Sequence, residues 1–187
     1  MGDITFLIQI KDINERMFEC FIMALLAQSS VHVEFLFNRT SLSKENLNHL
    51  KYLSNYHPYN FYESSRNDLL KSIKTKYVCF IDYHDILYPH FSYTLIDFLD
   101  NTIEGNIAYG TSFLVKLNSD LIVQNKQRHM GAPFRFRKNN VYVNSCVFKT
   151  SFLQINHLKL GHLFFYKCAL KSKPFYVEKD LSEKWVI

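Results

Sequence analysis

The chain is poor in glycine, proline and cysteine, and it has a single tryptophan. Its 187 residues include 5 Gly, 4 Pro and 4 Cys, against 17 Phe and 12 Tyr. So few turn-forming residues beside so many aromatic ones exclude a disordered or low-complexity chain, which would lack the apolar side chains needed for a core. Because 48% of the residues are hydrophobic, we expect one folded domain, residues 1–187.

The four cysteines show no pattern of a metal or disulfide framework. Cys20, Cys79, Cys146 and Cys168 are far apart and form no C-x-x-C pair, which excludes a zinc knuckle and predicts reduced thiols.

The longest apolar run, residues 21–27, is far shorter than the roughly 20 residues of a membrane-spanning helix. No signal-peptide pattern opens the chain. A cytoplasmic protein is expected, with a peripheral position at the inner face of the membrane as the alternative.

Positive charge is spread thinly along the chain. The 22 basic and 17 acidic residues give a net charge of +5, and only Arg135, Arg137 and Lys138 form a dense basic group. This balance favours anionic ligands in general. The aromatic residues recur at core-like spacing, so most should be buried and not available to stack on bases. A nucleic-acid partner is not expected.

Apolar runs alternate with helical patterns over the first hundred residues. Strands are predicted at residues 4–10, 33–37, 59–62 and 77–81. Helices are predicted between them, the first with a capping box formed by Asp12 and Glu15. The resulting order, βαβαβαβ, predicts an α/β fold with a mostly parallel central sheet and helices on both faces.

A small mixed β/α part is predicted for the C-terminal portion of the chain. A helix over residues 91–98 precedes it. Two strands, 107–117 and 121–124, flank Asn118-Ser119-Asp120 and indicate a hairpin. The polar, basic residues 125–140 are predicted to form a mobile loop over the site. The remaining predicted elements are a strand at 141–148, a helix at 158–170 and a short strand at 175–177.

Two carboxylates and an imidazole follow the strand at residues 77–81. Asp82, His84 and Asp85 stand where this strand leaves the sheet, and ligands of open α/β sheets bind at that carboxyl edge. The cluster is therefore a candidate cation site. The alternative is that Asp82 and Asp85 cap the next helix, since side-chain oxygens satisfy the amides of a first turn, and that His84 is an ordinary loop histidine.

Five segments, in order, resemble those of family 2 glycosyltransferases with the GT-A fold. They are the strand end at residues 4–12, FIMALLAQS at 21–29, EFLFNRTS at 34–41, SRN at 65–67 and YVCFIDYHD at 77–85. The last is similar to the family's strand ending in Asp-x-Asp-Asp, and SRN is similar to its Ala-Arg-Asn. The resemblance covers about residues 3–117 and implies a GT-A-like, Rossmann-like sheet.

The resemblance implies a metal site at the acidic cluster. Asp82 stands at the first Asp of the family's Asp-x-Asp motif, which implies a contact to the ribose or the metal. His84 and Asp85 stand at the positions expected to hold a divalent ion. Imidazole and carboxylate both suit Mn²⁺, whereas Mg²⁺ demands oxygen ligands, so Mn²⁺ is expected over Mg²⁺. The alternative for His84 is drift at a site no longer used.

Other matched positions imply nucleotide binding. Asn38 replaces the family's Asp that contacts the uracil ring, and an amide can both donate and accept hydrogen bonds. Arg66 matches the family's Arg, which is placed to meet the nucleotide. Ile10 and Asp12 lie at the corresponding edge of the first strand. Plainer alternatives are an Asx turn at Asn38 and a surface arginine at Arg66.

The resemblance also implies groups for the diphosphate and a base. Arg135, Arg137 or Lys138 could close on the diphosphate through charge-assisted hydrogen bonds, the alternative being a solvated loop. His162 stands where the family carries an acid that deprotonates the acceptor. An imidazole with a pKa of about 6.5 suits that work, the alternative being a packed or surface histidine.

Taken as a whole, the resemblance implies an inverting glycosyltransferase. Residues 1–100 would bind a nucleotide-sugar, with a UDP-sugar as the expected donor, and residues 101–187 would form a shortened acceptor half. The implied acceptor is a saccharide or a lipid-linked molecule in cell-surface polysaccharide biosynthesis. The alternative is a catalytically silent protein of the same fold that acts as a binding or scaffolding subunit, in a complex with a protein partner or as a homo-oligomer.

Overall fold

The computed structural model describes residues 3–9, 14–28, 33–38, 48, 60–62, 66–129, 146–158 and 164–186. Its strands are β1 Ile4–Gln9, β2 Val33–Asn38, β3 Asn60–Tyr62, β4 Tyr77–Asp82, β5 Asp85–Leu87, β6 Ile107–Leu117, β7 Val123–His129, β8 Cys146–Lys149 and β9 Phe175–Val186. The described helices are α1 Glu15–Leu26, α2 Arg66–Ser72, α3 Phe91–Asp100, α4 Thr150–Ile155 and α5 Phe164–Lys171.

The first four strands form the parallel half of one mixed sheet. Their order is β3-β2-β1-β4, and every pair in it is parallel. These strands were predicted from their apolar runs, which are typical of strands covered on both faces. The prediction of a mostly parallel N-terminal sheet is confirmed. Of the helix predicted between β2 and β3, only residue 48 lies within the described residues, and it is helical.

The C-terminal strands continue the same sheet. β8 lies antiparallel between β4 and β6, and β9 lies between β6 and β5. β7 pairs antiparallel with β6 in the predicted hairpin. At the turn, Asn118 Oδ1 accepts hydrogen bonds from the backbone N–H groups of Asp120 and Ile122. The mixed C-terminal part is thus joined edge to edge to the parallel half.

Helices cover both faces of the sheet, as predicted. Successive side chains of a strand point to opposite faces, and β4 shows this clearly. Tyr77, Cys79 and Ile81 lie in one buried cluster with residues of α1 and α3. Val78 and Phe80 lie in a second cluster with residues of α2, α4 and α5. A core therefore lies on each side of the sheet.

The start of α1 differs from the predicted capping box of Asp12 and Glu15. The helix begins at Glu15, and Asn14 is its N-cap. The Asn14 side chain accepts a hydrogen bond from the backbone N–H of Met17 at 3.2 Å. Asn and Asp satisfy a first turn equally well, so the capping chemistry alone did not distinguish the two positions.

The loop predicted for residues 125–140 is wrong over its first part. Residues 125–129 belong to β7, which pairs with β6. The side chains of residues 124–128 are all exposed, so this strand carries no apolar alternation that a sequence pattern could detect. Residues 130–140, which include Arg135 and Arg137, lie outside the described residues.

Two further predictions in the C-terminal part are wrong in extent. Of the helix predicted for residues 158–170, α5 covers the part from Phe164, Leu158 is not helical, and residues 159–163 lie outside the described residues. The helix α4, which ends before His157 (φ 49°), was not predicted. The strand predicted for residues 175–177 runs on to Val186, because its later residues pair with both β6 and β5. Within the described ranges, no helix combines the length and apolar character needed to cross a membrane.

Candidate functional site

The carboxyl ends of β1, β2 and β4 meet at one edge of the sheet. In the strand register, Gln9 is the partner of Asn38 on one side and of Asp82 on the other. Asn38 in turn is the partner of Tyr62 at the end of β3. The candidate residues Asn38 and Asp82, which are 44 positions apart in the chain, therefore lie on strands that end together, where ligands of such sheets bind.

A tight turn after β4 holds the two predicted acids in place. The backbone N–H of Asp82 donates to Asp85 Oδ2 at 2.8 Å, and the backbone N–H of His84 donates to Asp82 Oδ1 at 2.9 Å. Asp82 Oδ1 also lies 3.2 Å from His84 Nδ1. The interpretation that the acids cap the next helix is wrong, because Asp85 begins β5 and the N-cap of α3 is His90.

A lysine from the far end of the chain completes the cluster. In the antiparallel pair of β5 and β9, Lys184 lies directly opposite Asp85. The backbone N–H of Trp185 donates to the carbonyl of His84 at 2.8 Å. Lys184 Nζ lies 3.0 Å from Asp82 Oδ2 and 3.2 Å from Asp85 Oδ1. The described cluster thus contains Asp82, His84, Asp85 and Lys184.

Burial and neighbouring charges shift the pKa values of these groups in different directions. Burial acts to raise the pKa of Asp82, but hydrogen bonds from His84 and the ammonium of Lys184 outweigh it, and this pKa lies well below its usual value. Burial and the charge of Asp82 raise the pKa of Asp85 to about 7, although Lys184 opposes them. Burial acts to lower the pKa of Lys184, but the two carboxylates more than offset this and raise it. Lys184 is therefore a fixed positive charge at neutral pH.

Glu183 stabilises the end of β9, the strand that carries Lys184, through hydrogen bonds. Its carboxylate accepts hydrogen bonds from the Tyr88 hydroxyl at 2.9 Å, from Lys126 Nζ at 2.6 Å and from Trp185 Nε1 at 2.9 Å. These donors belong to the turn after β5, to β7 and to β9 itself. The contacts fix the end of β9 from several directions, and so fix the position of Lys184.

The structure brings the predicted metal residues together and leaves several other candidates undescribed. Asp82, His84 and Asp85 form one cluster, as placed above. Asn38 ends β2 and Arg66 begins α2, and for these two only the backbone is described. The predicted residues that lie outside the described ranges are Ile10, Asp12, Arg135, Arg137 and His162.

The predicted divalent ion does not fit the cluster as it stands. All four oxygens of Asp82 and Asp85 accept a hydrogen bond, two of them from the Lys184 ammonium. In the part of the chain that the structure describes, no group of three or more His, Cys, Asp or Glu side chains is arranged to hold a metal ion. The Lys184 ammonium therefore already holds two of the carboxylate oxygens that would bind a metal ion.

Lys184 was not identified from the sequence. Its two partners lie 102 and 99 residues earlier in the chain, and no local motif surrounds it. Residues 181–186 also lack the strict apolar–polar alternation that would have predicted a longer strand.

Comparison with solved structures identifies the fold. S. aureus TarS 1–349 in complex with UDP-GlcNAc matches with a TM-score of 0.74 and 13% identity, covering 99% of this chain and 59% of that chain. The mannosyltransferase PcManGT from Pyrobaculum calidifontis, in complex with GDP-Man and Mn²⁺, matches with a TM-score of 0.69 and 8% identity, covering 97% of this chain and 56% of that chain.

The chain matches solved structures by its fold, but comparison by sequence gives no match. No protein-family model and no curated protein matches this chain. At identities of 8% and 13% the likeness concerns the fold, and the chain spans less than two thirds of either structure. The fold predicted from the five sequence segments is confirmed: this chain has the mixed α/β fold of the GT-A-type glycosyltransferases.

Proposed function

We propose that this protein is a glycosyltransferase that uses a nucleotide-sugar donor. The observation that carries the proposal is the charged cluster of Asp82, Asp85 and Lys184, which lies at the carboxyl edge of a parallel sheet with the GT-A-type fold. In such sheets that edge is the ligand-binding edge. A fixed ammonium there suits the diphosphate of a nucleotide-sugar.

The donor class is supported by the ligands of the structural neighbours. TarS structures contain UDP-GlcNAc or UDP, and PcManGT contains GDP-Man. We propose a UDP-sugar as the donor, with Ile10, Asp12, Asn38 and Arg66 around the nucleotide. Asn38 supports this assignment because its backbone is in register, through β1, with Asp82.

The proposed reaction inverts the configuration at the anomeric carbon. The acceptor hydroxyl oxygen forms a bond to that carbon while the bond from the carbon to the diphosphate oxygen breaks, and the nucleoside diphosphate leaves with the electron pair. The hydroxyl proton passes to a base, for which we propose His162. Arg135 and Arg137 are proposed to stabilise the departing diphosphate.

Several finer assignments belong to the same proposal. We propose that the acceptor is a saccharide or a lipid-linked molecule of cell-surface polysaccharide synthesis. We also propose that the protein lies in the cytoplasm. Mn²⁺ is the divalent ion that His84 and the two carboxylates would favour over Mg²⁺. An ion that bridges Asp82 Oδ2 and Asp85 Oδ1 would lie where Lys184 Nζ now lies, so the cluster as described favours the lysine.

The second candidate function is a catalytically silent binding or scaffolding subunit. The ion pairs of Lys184 with both acids favour it, because they keep these acids from a divalent ion. This candidate predicts a stable complex with a protein partner and no sugar transfer. Transfer by the isolated protein would exclude it.

Calorimetric titration of UDP, followed by other nucleoside diphosphates, tests the proposed function. We expect the wild type to bind UDP and to hydrolyse or transfer a UDP-sugar. Asp82→Asn should bind UDP at least about tenfold more weakly, because it loses the ribose contact and one partner of Lys184. The matched control is Asp120→Asn, an exposed acid in the hairpin turn, which should bind as the wild type does. No binding of any nucleoside diphosphate would contradict the proposal.

A further inference from the structure

Strand pairing, not side-chain flexibility, places a lysine between the two acids. Asp85 and Lys184 are direct cross-strand partners, an arrangement in which opposite charges stabilise a sheet. The Lys184 side chain is 20% exposed and that of Asp85 is 4% exposed. The ion pair is therefore shielded from most of the solvent, and its position is fixed by the backbone of β5 and β9.

The geometry leaves room for one cation between these carboxylates. Lys184 Nζ lies 3.0 Å from Asp82 Oδ2 and 3.2 Å from Asp85 Oδ1. A divalent ion bridging the same two oxygens would lie roughly 2.0 to 2.6 Å from each, in the space that Nζ fills. The other two oxygens accept hydrogen bonds from the turn itself. An ion and the lysine ammonium consequently compete for one position.

We propose that Lys184 takes the place of the divalent ion in this site, and that its ammonium binds the diphosphate of the nucleotide ligand without metal. The nature of the ligand rests on the proposed function, whereas the competition with an ion rests on the ion pairs alone. A preorganised charge in a partly dry site stabilises the negative charge that develops on a departing diphosphate. Because Lys184 is part of the chain, it supplies that positive charge without a metal ion that must bind and be released.

Titration of Mn²⁺ alone, followed by electron paramagnetic resonance, tests the competition. The proteins are the wild type, Lys184→Met and the matched control Lys179→Met, which removes an exposed lysine from the same strand. We expect Lys184→Met to bind Mn²⁺ at least about tenfold more tightly than the other two, because the carboxylates are then uncompensated. Equal Mn²⁺ affinities in all three proteins would overturn the proposal.

Titration of UDP in the presence of chelator tests the role in ligand binding. We expect wild type and Lys179→Met to bind UDP equally well with chelator and with Mn²⁺, and Lys184→Met to lose at least about tenfold in affinity with chelator. A strict Mn²⁺ requirement in the wild type would overturn the proposal. If UDP binds under neither condition, the proposed function fails, while the Mn²⁺ titration still decides whether Lys184 excludes the ion.

A double variant distinguishes a loss of UDP binding from a loss of folding. Removal of one partner of a buried ion pair is strongly destabilising, so Lys184→Met could unfold. Lys184→Met combined with Asp85→Asn removes the buried carboxylate together with the ammonium. This protein should fold and should lose UDP affinity in chelator by at least about tenfold. Wild-type UDP affinity of the folded double variant in chelator would overturn the proposal.

Discussion

At the scale of single residues, the site is organised by carboxylates that differ in their surroundings. Asp82 is partly exposed and meets His84 and Lys184, which lower its pKa despite its burial. Asp85 is more deeply buried beside Asp82, and its pKa is raised to about 7. Two acids three residues apart thus acquire different proton affinities, because hydrogen bonds from His84 and the charge of Lys184 outweigh burial at Asp82, whereas burial and the charge of Asp82 prevail at Asp85.

Glu183 gives a prediction for the pH dependence of stability. Burial acts to raise its pKa, but hydrogen bonds from Lys126, Trp185 and Tyr88 outweigh it and lower the pKa. A lowered carboxyl pKa contributes stability that is fully present above the unfolded value and is lost as the pH falls through the folded one. We therefore expect Glu183→Gln to be less stable than the wild type at neutral pH, with a difference that shrinks on acidification.

Urea unfolding at a series of pH values from neutral to strongly acidic measures this difference. The control is Glu104→Gln, an exposed glutamate, whose difference from the wild type should stay small throughout. A constant difference between the wild type and Glu183→Gln at all pH values would show that the carboxylate does not act through its charge.

At the scale of elements, the contact between β6 and β9 positions Lys184. The two strands are parallel, and their register shifts on either side of Thr111. Beside this shift, a Cβ atom on Gly110 would lie 2.2 Å from Leu181 Cδ1 and 3.1 Å from the Lys179 carbonyl oxygen. Glycine at this position lets β9 approach and lets Leu181 enter the core, where it is fully buried.

Gly110→Ala tests this close approach. We expect the added methyl group to lower the free energy of unfolding by about 1–3 kcal/mol, because a packed core resists extra volume. Denaturant unfolding measures the change, with Lys116→Ala as the exposed control on the same strand. In a double variant, Leu181→Ala should relieve the clash, so the two effects should be less than additive. Full additivity would exclude the Leu181 contact as the cause.

At the scale of the whole molecule, one sheet connects the two halves of the chain. β8, from the C-terminal half, pairs with both β4 and β6. Phe80 on β4 packs against Phe148 and Phe164, with ring centroids 5.6 Å and 5.2 Å away. Trp185, the only tryptophan, packs on the opposite face of the sheet. We propose on this basis that residues 1–187 unfold as one domain.

Phe80→Ala tests that proposal. The cavity should lower the free energy of unfolding by about 3–5 kcal/mol. If the sheet unfolds as one unit, Trp185 fluorescence and far-ultraviolet circular dichroism should report the same shifted midpoint. Leu170→Ala, at a side chain that is 67% exposed, is the control. A fluorescence midpoint that stays at the wild-type value while the dichroism midpoint shifts would indicate two independent units.

The sequence alone determined the parallel half of the fold and the acidic cluster after β4. Apolar runs of strand length, separated by helical patterns, specify buried parallel strands through local physics. The candidate residues Asp82, His84 and Asp85 are close in sequence and adopt one turn, so a local pattern was sufficient to group them.

Only the tertiary structure decided which cation these acids hold. Lys184 lies about a hundred residues away from its partners, and its place depends on the register of β9 between β5 and β6. The strand β7 was missed because backbone pairing between distant strands leaves no periodic trace in the side chains of an exposed strand. The length of β9 was missed because its later residues show no strict apolar–polar alternation. Long-range pairing thus converted a predicted metal site into one occupied by a lysine.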